Sequence, residues 1–212
     1  MWPRVAAGVA VLALVVVAAF LLLGDGGSIL PDGSDEGPGG FSFDLGRVRA
    51  APLSDRPAAQ LQDEAEEAAD AVKATMDQLY FSAYVDRDAW GAYDDAFALF
   101  LGPAAGGARE DVDSLTLGSG APQEYDGLLD PTGTLQVVVL TDDRDVAISA
   151  IARVVFHADA ELTSAGGATR ITSKGAFFLR PGNEGWRIFA YRIDRNEQDA
   201  AASPTPSGEV TP

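Results

Sequence analysis

The chain has 212 residues and a formal net charge of −17, from 15 basic and 32 acidic side chains. A chain so acidic repels phosphate backbones, and no basic stripe offsets this, so nucleic acid is excluded as a partner. Cysteine is absent, which excludes disulfides, thiolate metal sites and a lipid-modified cysteine.

Residues 5–23 come first in chain order. Val5 to Leu23 contains no charged or strongly polar residue. A helix of that length spans roughly 28 Å, close to the hydrocarbon thickness of a bilayer. Trp2 sits where an interfacial aromatic belongs, and Arg4 lies on the short N-terminal side. The other flank carries Asp25, Asp32, Asp35 and Glu36, with no Lys or Arg before Arg47. The positive-inside rule then predicts residues 1–4 in the cytoplasm, a single-pass anchor over 5–23, and the remainder outside the cell membrane. A cleaved signal peptide is the alternative. It needs a small-x-small site, and Phe20-Leu21-Leu22-Leu23-Gly24-Asp25 offers none.

Residues 24–40, rich in Gly, Asp, Ser and Pro, read as a flexible linker. Phe41, Phe43 and Leu45 alternate with polar residues and predict a short edge strand. A helix follows. Asp55 precedes Pro57, acids fill the N-terminal half, and Leu61, Ala65, Ala68, Val72, Met76 and Leu79 form one apolar face. A second helix is predicted from Asp86 or Asp88, with Trp90, Tyr93, Phe97 and Phe100 inward and Gly102-Pro103 as its stop. A third is predicted over Arg109 to Leu117, with Val112 and Leu115 inward.

The second half reads as strands. Leu135 to Thr141 is a short apolar run, and Asp142 to Asp145 is a turn. From Val146 to Glu161 the even positions Val146, Ile148, Ala150, Ala152, Val154 and Phe156 are apolar. The odd ones include Ser149, Arg153, His157 and Asp159. That is a strand with one dry and one wetter face, with Ile148, Val154 and Phe156 expected to be buried. Ala165-Gly166-Gly167 is a hairpin tip. Thr169 to Arg180 is the next strand, with Gly175 marking a bulge. After the turn at Pro181 to Gly185, Trp186 to Arg195 is the last strand. Residues 196–212, with Ser203-Pro204-Thr205-Pro206-Ser207, read as a disordered tail.

The expected fold class is therefore α+β: an N-terminal transmembrane helix, then helices packed on a bent antiparallel sheet of about four main strands, with the folded domain at 41–195. The order of elements resembles the nuclear-transport-factor-like, or SnoaL-like, superfamily over roughly Leu61 to Arg195. The residues that carry the resemblance are the Gly-Gly turn, Phe177-Phe178, the Pro-Gly turn, Gly185-Trp186-Arg187-Ile188, and Trp90 in the second helix. It implies a cone of bent sheet with helices across it and a pocket inside. The anchored arrangement is similar to that of Mce-associated proteins and of inner-membrane components of type IV secretion systems. Those groups act mainly through binding and assembly.

Candidate chemistry is sparse. His157, the only histidine, lies two residues before Asp159, so both side chains share one strand face and supply the residue types of an acid–base dyad. A solvated sheet face with an incidental histidine is the competing reading. Arg153 shares that face and can pair with Asp159 or Glu161. Trp90, Tyr93, Phe97 and Tyr191 are candidates to line an apolar pocket, or else to fill the core. The superfamily's isomerase-like enzymes use tyrosines and an acid in such a pocket, but no motif assigns those roles here. Asp142-Asp143 lacks the spacing of a calcium loop. No cofactor, metal or catalytic residue is assigned.

The expectation is a membrane-anchored, extracytoplasmic binding or assembly module without catalysis. Its partners would be the lipid bilayer through the anchor, and a partner protein, an apolar ligand or a further copy of the chain. The alternatives are an isomerase or dehydratase using the cone pocket, and a structural subunit of an envelope or secretion complex.

Overall fold

The computed structural model describes residues 40–164 and 167–199. The expected anchor at 5–23, linker residues 24–39, the hairpin tip at Ala165-Gly166 and tail residues 200–212 lie outside the described residues. The described residues all belong to one compact unit.

Its first strand, β1, spans Asp44–Pro52. A 3-10 turn at Ala58–Leu61 leads into the long helix α1, Gln62–Tyr80. A π turn over Phe81–Val85 extends α1. Four short helices follow: α2 at Asp94–Ala98, α3 at Gly102–Glu110, α4 at Val112–Leu115 and α5 at Ala121–Glu124. Then come four long strands, β2 at Tyr125–Thr141, β3 at Ala147–Leu162, β4 at Ala168–Gly182 and β5 at Gly185–Asp199. They form one sheet in the order β1-β2-β3-β4-β5.

This corrects the expected fold class. The sheet has five strands and is mixed, because β1 runs parallel to β2 while the other neighbours are antiparallel. Among the described residues, no helix is long and apolar enough to cross a membrane. The expected short edge strand is present but lies later and runs longer, Asp44–Pro52, for a physical reason. The alternation Phe41, Phe43, Leu45 slips by one residue at a bulge between Leu45 and Val48, then resumes at Val48 and Ala50. Arg47 and Arg49 mask the resumed pattern. A parallel neighbour also needs a long crossover, and here every helix among the described residues lies in it.

Helix α1 forms where its apolar spacing dictates. Leu61, Ala65, Ala68, Val72, Met76 and Leu79 are all buried, and Asp63 and Glu64 lie in the first turn, where the macrodipole favours them. The second expected helix does not form as one piece. Asp86 accepts a hydrogen bond from the Asp88 N–H and opens only a 3-10 turn, Arg87–Ala89. Tyr93 then adopts a left-handed φ of 54° before α2 begins. Gly102-Pro103 starts α3 rather than ending a helix, since a proline without its N–H fits the first turn. The expected helix over Arg109 to Leu117 is broken between α3 and α4.

The helices and the inward strand residues build one core. From β3 it takes Ala150, Ala152, Val154, Phe156, Ala158 and Ala160, a strict period of two. Ile148 departs from the expectation and is 38 % exposed. A bulge pairs Leu140 with Ser149 but Thr141 with Ala147, so Ile148 is the extra residue and Ala147 takes the inward position. The opposite face of β3 is drier than expected at its middle. Ile151 is 3 % exposed, between Val138 on β2 and Phe178 on β4. Gly175 sits in continuous register with both neighbours and marks no bulge. It marks a close approach, since a Cβ there would lie 2.6 Å from the Arg192 carbonyl oxygen. Strand β5 runs on through Asn196 to Asp199, beyond the expected end of the domain.

Candidate functional site

The two edges of the sheet differ. Along β5, the segment after α2 adds a short bridge: Leu101 N–H donates to the Ile188 carbonyl at 2.8 Å, and Ile188 N–H donates to Leu99 at 3.0 Å. Arg187 also donates to the Ala98 carbonyl. Strand β1 pairs with β2 alone among the described residues. Beside β1, between it and α1, lies an open cleft of about 330 Å³ lined by Leu45, Gly46, Val48, Gln62, Glu66 and Asp70.

Its construction follows from the local sequence. Leu45 and Val48 are half-buried and turn toward the core side, packed against the core. Gln62, Glu66 and Asp70 recur every fourth residue, so they stand in one row along α1. The Gln62 amide bridges the two walls. Its Nε2 donates to Glu66 Oε1 at 2.9 Å and reaches the Val48 carbonyl oxygen at 3.5 Å.

A buried latch holds the entry to β1 against α1. Asp77 is 4 % exposed. Its carboxylate accepts from the Phe43 N–H at 2.8 Å, Ser42 Oγ at 3.0 Å and Lys73 Nζ at 2.8 Å. Lys73 Nζ also donates to Ser42 Oγ. Phe43 then packs edge-on against Tyr80 of α1, with ring centroids 4.9 Å apart. The strand edge is thus set at a fixed distance from the helix.

None of these cleft residues was among the candidate site residues read from the sequence. The available signal was the row Gln62, Glu66, Asp70, which reads equally well as a solvated helix face suited to the macrodipole. Its meaning depends on β1 lying opposite.

The candidate dyad of His157 and Asp159 does not assemble. His157 is exposed, and its Nδ1 lies 3.1 Å from Thr172 Oγ1, directly across the ladder on β4. Asp159 is engaged by Arg170, which donates Nε and Nη2 to its two oxygens at 2.8 and 3.0 Å. That hydrogen-bonded fork holds the Asp159 carboxyl below the usual carboxylate range. An acid–base pair needs contact between its members and a sheltered site, and the geometry supplies neither.

The four aromatic candidates fill space rather than surround it. Trp90 is buried, with Nε1 donating to the Tyr84 carbonyl at 2.9 Å. Tyr93 is buried, and its hydroxyl donates to the Gly118 carbonyl at 2.8 Å. Phe97 packs against Tyr93, with the Arg109 guanidinium 5.5 Å from its ring centre. Tyr191 lies apart from these three, edge-on to Phe100, and donates to Asp111 Oδ2 at 2.8 Å. Burial, and then the Asp111 carboxylate, raise its phenol pKa. None of the four lines the cleft.

A deeper tyrosine pair belongs to the core. Tyr80 and Tyr84 stack with centroids 5.2 Å apart, and the Tyr80 hydroxyl meets Ser173 Oγ at 3.0 Å. Burial pushes the Tyr84 phenol up to about 12 and Tyr80 well above its ordinary value. The Asp142 carboxylate is spent on its own turn, accepting from Arg144 and Val146 N–H groups, which lower its pKa. Among the described residues, no three His, Asp or Glu side chains gather as a metal site.

No family model matches this chain, and neither a curated protein nor a solved structure matches it.

Proposed function

We propose that this chain is a non-catalytic binding module, anchored in a membrane by residues 5–23 and displayed outside it, that engages a partner protein through the cleft between β1 and α1. The observation that carries the reading is the cleft itself: an open groove beside a strand edge that pairs on one side alone among the described residues. A strand edge presents unpaired backbone donors and acceptors, which natural proteins cover or use. The apolar-ligand reading has less support, because Trp90, Tyr93 and Phe97 are packed and the polar atoms of Trp90 and Tyr93 are satisfied. The isomerase reading lacks a joined acid and base at His157 and Asp159. The apolar run 5–23 and the acidic flank that follows it support the membrane placement.

The test is site-specific photocrosslinking of the full chain in its own cells. A photoreactive residue at Gly46, in the cleft, is expected to yield a discrete adduct with another protein. The same group at Asn183, in the exposed turn between β4 and β5, should not. Equal adducts from both positions, or none from Gly46, would overturn the assignment.

A further inference from the structure

The partner's chemistry can be read from the cleft, an inference that rests on the proposed function and deepens it. We infer that the occupant is an extended segment of a partner protein that adds to the free edge of β1 as a further strand and carries a lysine or arginine facing Glu66 and Asp70.

Three observations lead to an extended segment. Strand β1 is nine residues long and lies at the end of the sheet order. The long crossover between β1 and β2 places α1 alongside it and leaves a groove of about 330 Å³ between them. The Val48 carbonyl oxygen on the groove side is met by Gln62 Nε2 at 3.5 Å, a weak, side-chain substitute for a ladder hydrogen bond. An incoming backbone N–H would replace it at normal length, and Gln62 would keep its bond to Glu66. Main-chain bonding to a strand edge supplies affinity in such recognition, and the pockets for alternate side chains supply specificity.

The charge of the groove selects the side chains. Leu45 and Val48 form an apolar floor, while Glu66 and Asp70 stand exposed on one wall, one helical turn apart. Arg49 pairs across to Val138 and belongs to the opposite face of β1, so it does not line the groove. A segment with Lys or Arg at every second position matches the wall of Glu66 and Asp70, because alternate side chains of an added strand all point to the α1 face, while the positions between them point to the opposite face of the sheet.

Charge also decides between occupants. Residues 24–39 contain no Lys or Arg and four carboxylates, and residues 200–212 contain no Lys or Arg and one, so the chain's own flanks offer no cation to Glu66 and Asp70. A second copy docked edge to edge would bring its own Glu66 and Asp70 close to the first pair. Like charges across an interface disfavour both arrangements.

The probes are two capped hexapeptides, one alternating valine and lysine, the other valine and glutamate, titrated against the full chain in lipid nanodiscs. The lysine peptide is expected to bind about tenfold more tightly than the glutamate peptide, the scale set by two partly exposed charge pairs turned from attraction to repulsion. It should slow amide hydrogen exchange within 45–50. The double variant Glu66→Lys, Asp70→Lys should invert the preference, and its far-ultraviolet circular dichroism should match the wild type. Equal binding of the two peptides, no binding of either, or protection elsewhere would overturn the strand-addition inference. So would a Gly46 crosslink to a second copy. A Gly46 adduct with a different protein, found together with indifferent peptides, would leave the partner-binding reading standing and remove only this inference. Absence of any Gly46 adduct removes the reading itself.

Discussion

His157 and Trp186 mark the two extremes of what one side chain does here. His157 is exposed on β3 with its Nδ1 against the Thr172 hydroxyl, so its removal leaves no cavity and no buried unpaired group. His157→Ala is expected to change stability by no more than about 0.5 kcal/mol in urea titrations, the range of ordinary surface sites. Trp186 is 8 % exposed at the start of β5, and its carbonyl accepts from Thr75 Oγ1 on α1. Trp186→Ala should cost about 3–5 kcal/mol, because a large core aromatic leaves a cavity that cannot fully collapse. A loss under about 1 kcal/mol would show that the ring packs against nothing essential. The buried tyrosines make a further residue-scale prediction. Their phenols ionise near 10 when exposed but are raised in the fold, to about 12 for Tyr84 and Tyr125. Between those values the unfolded chain has lost protons that the folded chain keeps, so stability must fall as pH rises. It is fully present below pH 10 and lost as pH climbs through about 12. Tyrosinate absorbance and loss of circular dichroism should therefore rise together over that interval. Tyrosinate absorbance that completes its rise near pH 10, ahead of unfolding, would contradict the packing of these rings.

At the scale of elements, strand length and bending govern the fold. Strands β2 to β5 each have 15 to 17 residues, and at ~3.3 Å per residue each runs about 50 Å. Helix α1, with 19 residues, covers only about 28 Å. The strands bend through bulges at Tyr125/Gly127, Leu129/Thr132 and Leu140/Thr141 on the β2–β3 seam, and at Phe178/Leu179 on the β4–β5 seam. Gly175 serves a different purpose, letting the β5 backbone pass within 2.6 Å of its missing Cβ. The blocking atom is a backbone carbonyl, which cannot swing aside as a side-chain tip can. Gly175→Ala should cost about 2 kcal/mol by overpacking, seen as a lower urea midpoint with unchanged slope. An unchanged midpoint would mean that the two strands separate freely there.

At the scale of the molecule, the charge of −17 is unevenly placed. Helix α1 shows Asp63, Glu64, Glu66, Glu67 and Asp70 to solvent, and part of that row walls the cleft. Arg49 and Arg153 fall on the outer face of the sheet, beside buried Val138 and Ala176 in the ladder. Long basic side chains can cover apolar surface with their stems while the charged ends stay in water. The proposed topology makes its own prediction. On that topology, with the acidic flank after residues 5–23 outside, protease added to intact cells should degrade the domain. Protection until the membrane is lysed would overturn that orientation, and a mature chain beginning after Gly24 would identify a cleaved signal instead.

Periodicity in the sequence determined what local chemistry can determine. The spacing from Leu61 to Leu79 marks the buried face of α1, and the alternation from Ala150 to Phe156 marks the inward face of β3, because each follows the geometry of its own element. The same reasoning stopped wherever a partner from elsewhere in the chain sets the outcome. A bulge moved Ile148 outward, and a slip between Leu45 and Val48 hid the continuation of β1 beyond the expected short strand. The parallel pairing of β1 with β2 joins residues separated by every helix among the described residues, so no short window contains it. His157 and Asp159 are neighbours on one strand, yet each takes its partner from β4. The cleft has the same origin. Glu66 and Asp70 are ordinary exposed acids until the tertiary structure sets a free strand edge opposite them, and only long-range packing, latched by Asp77, places it there.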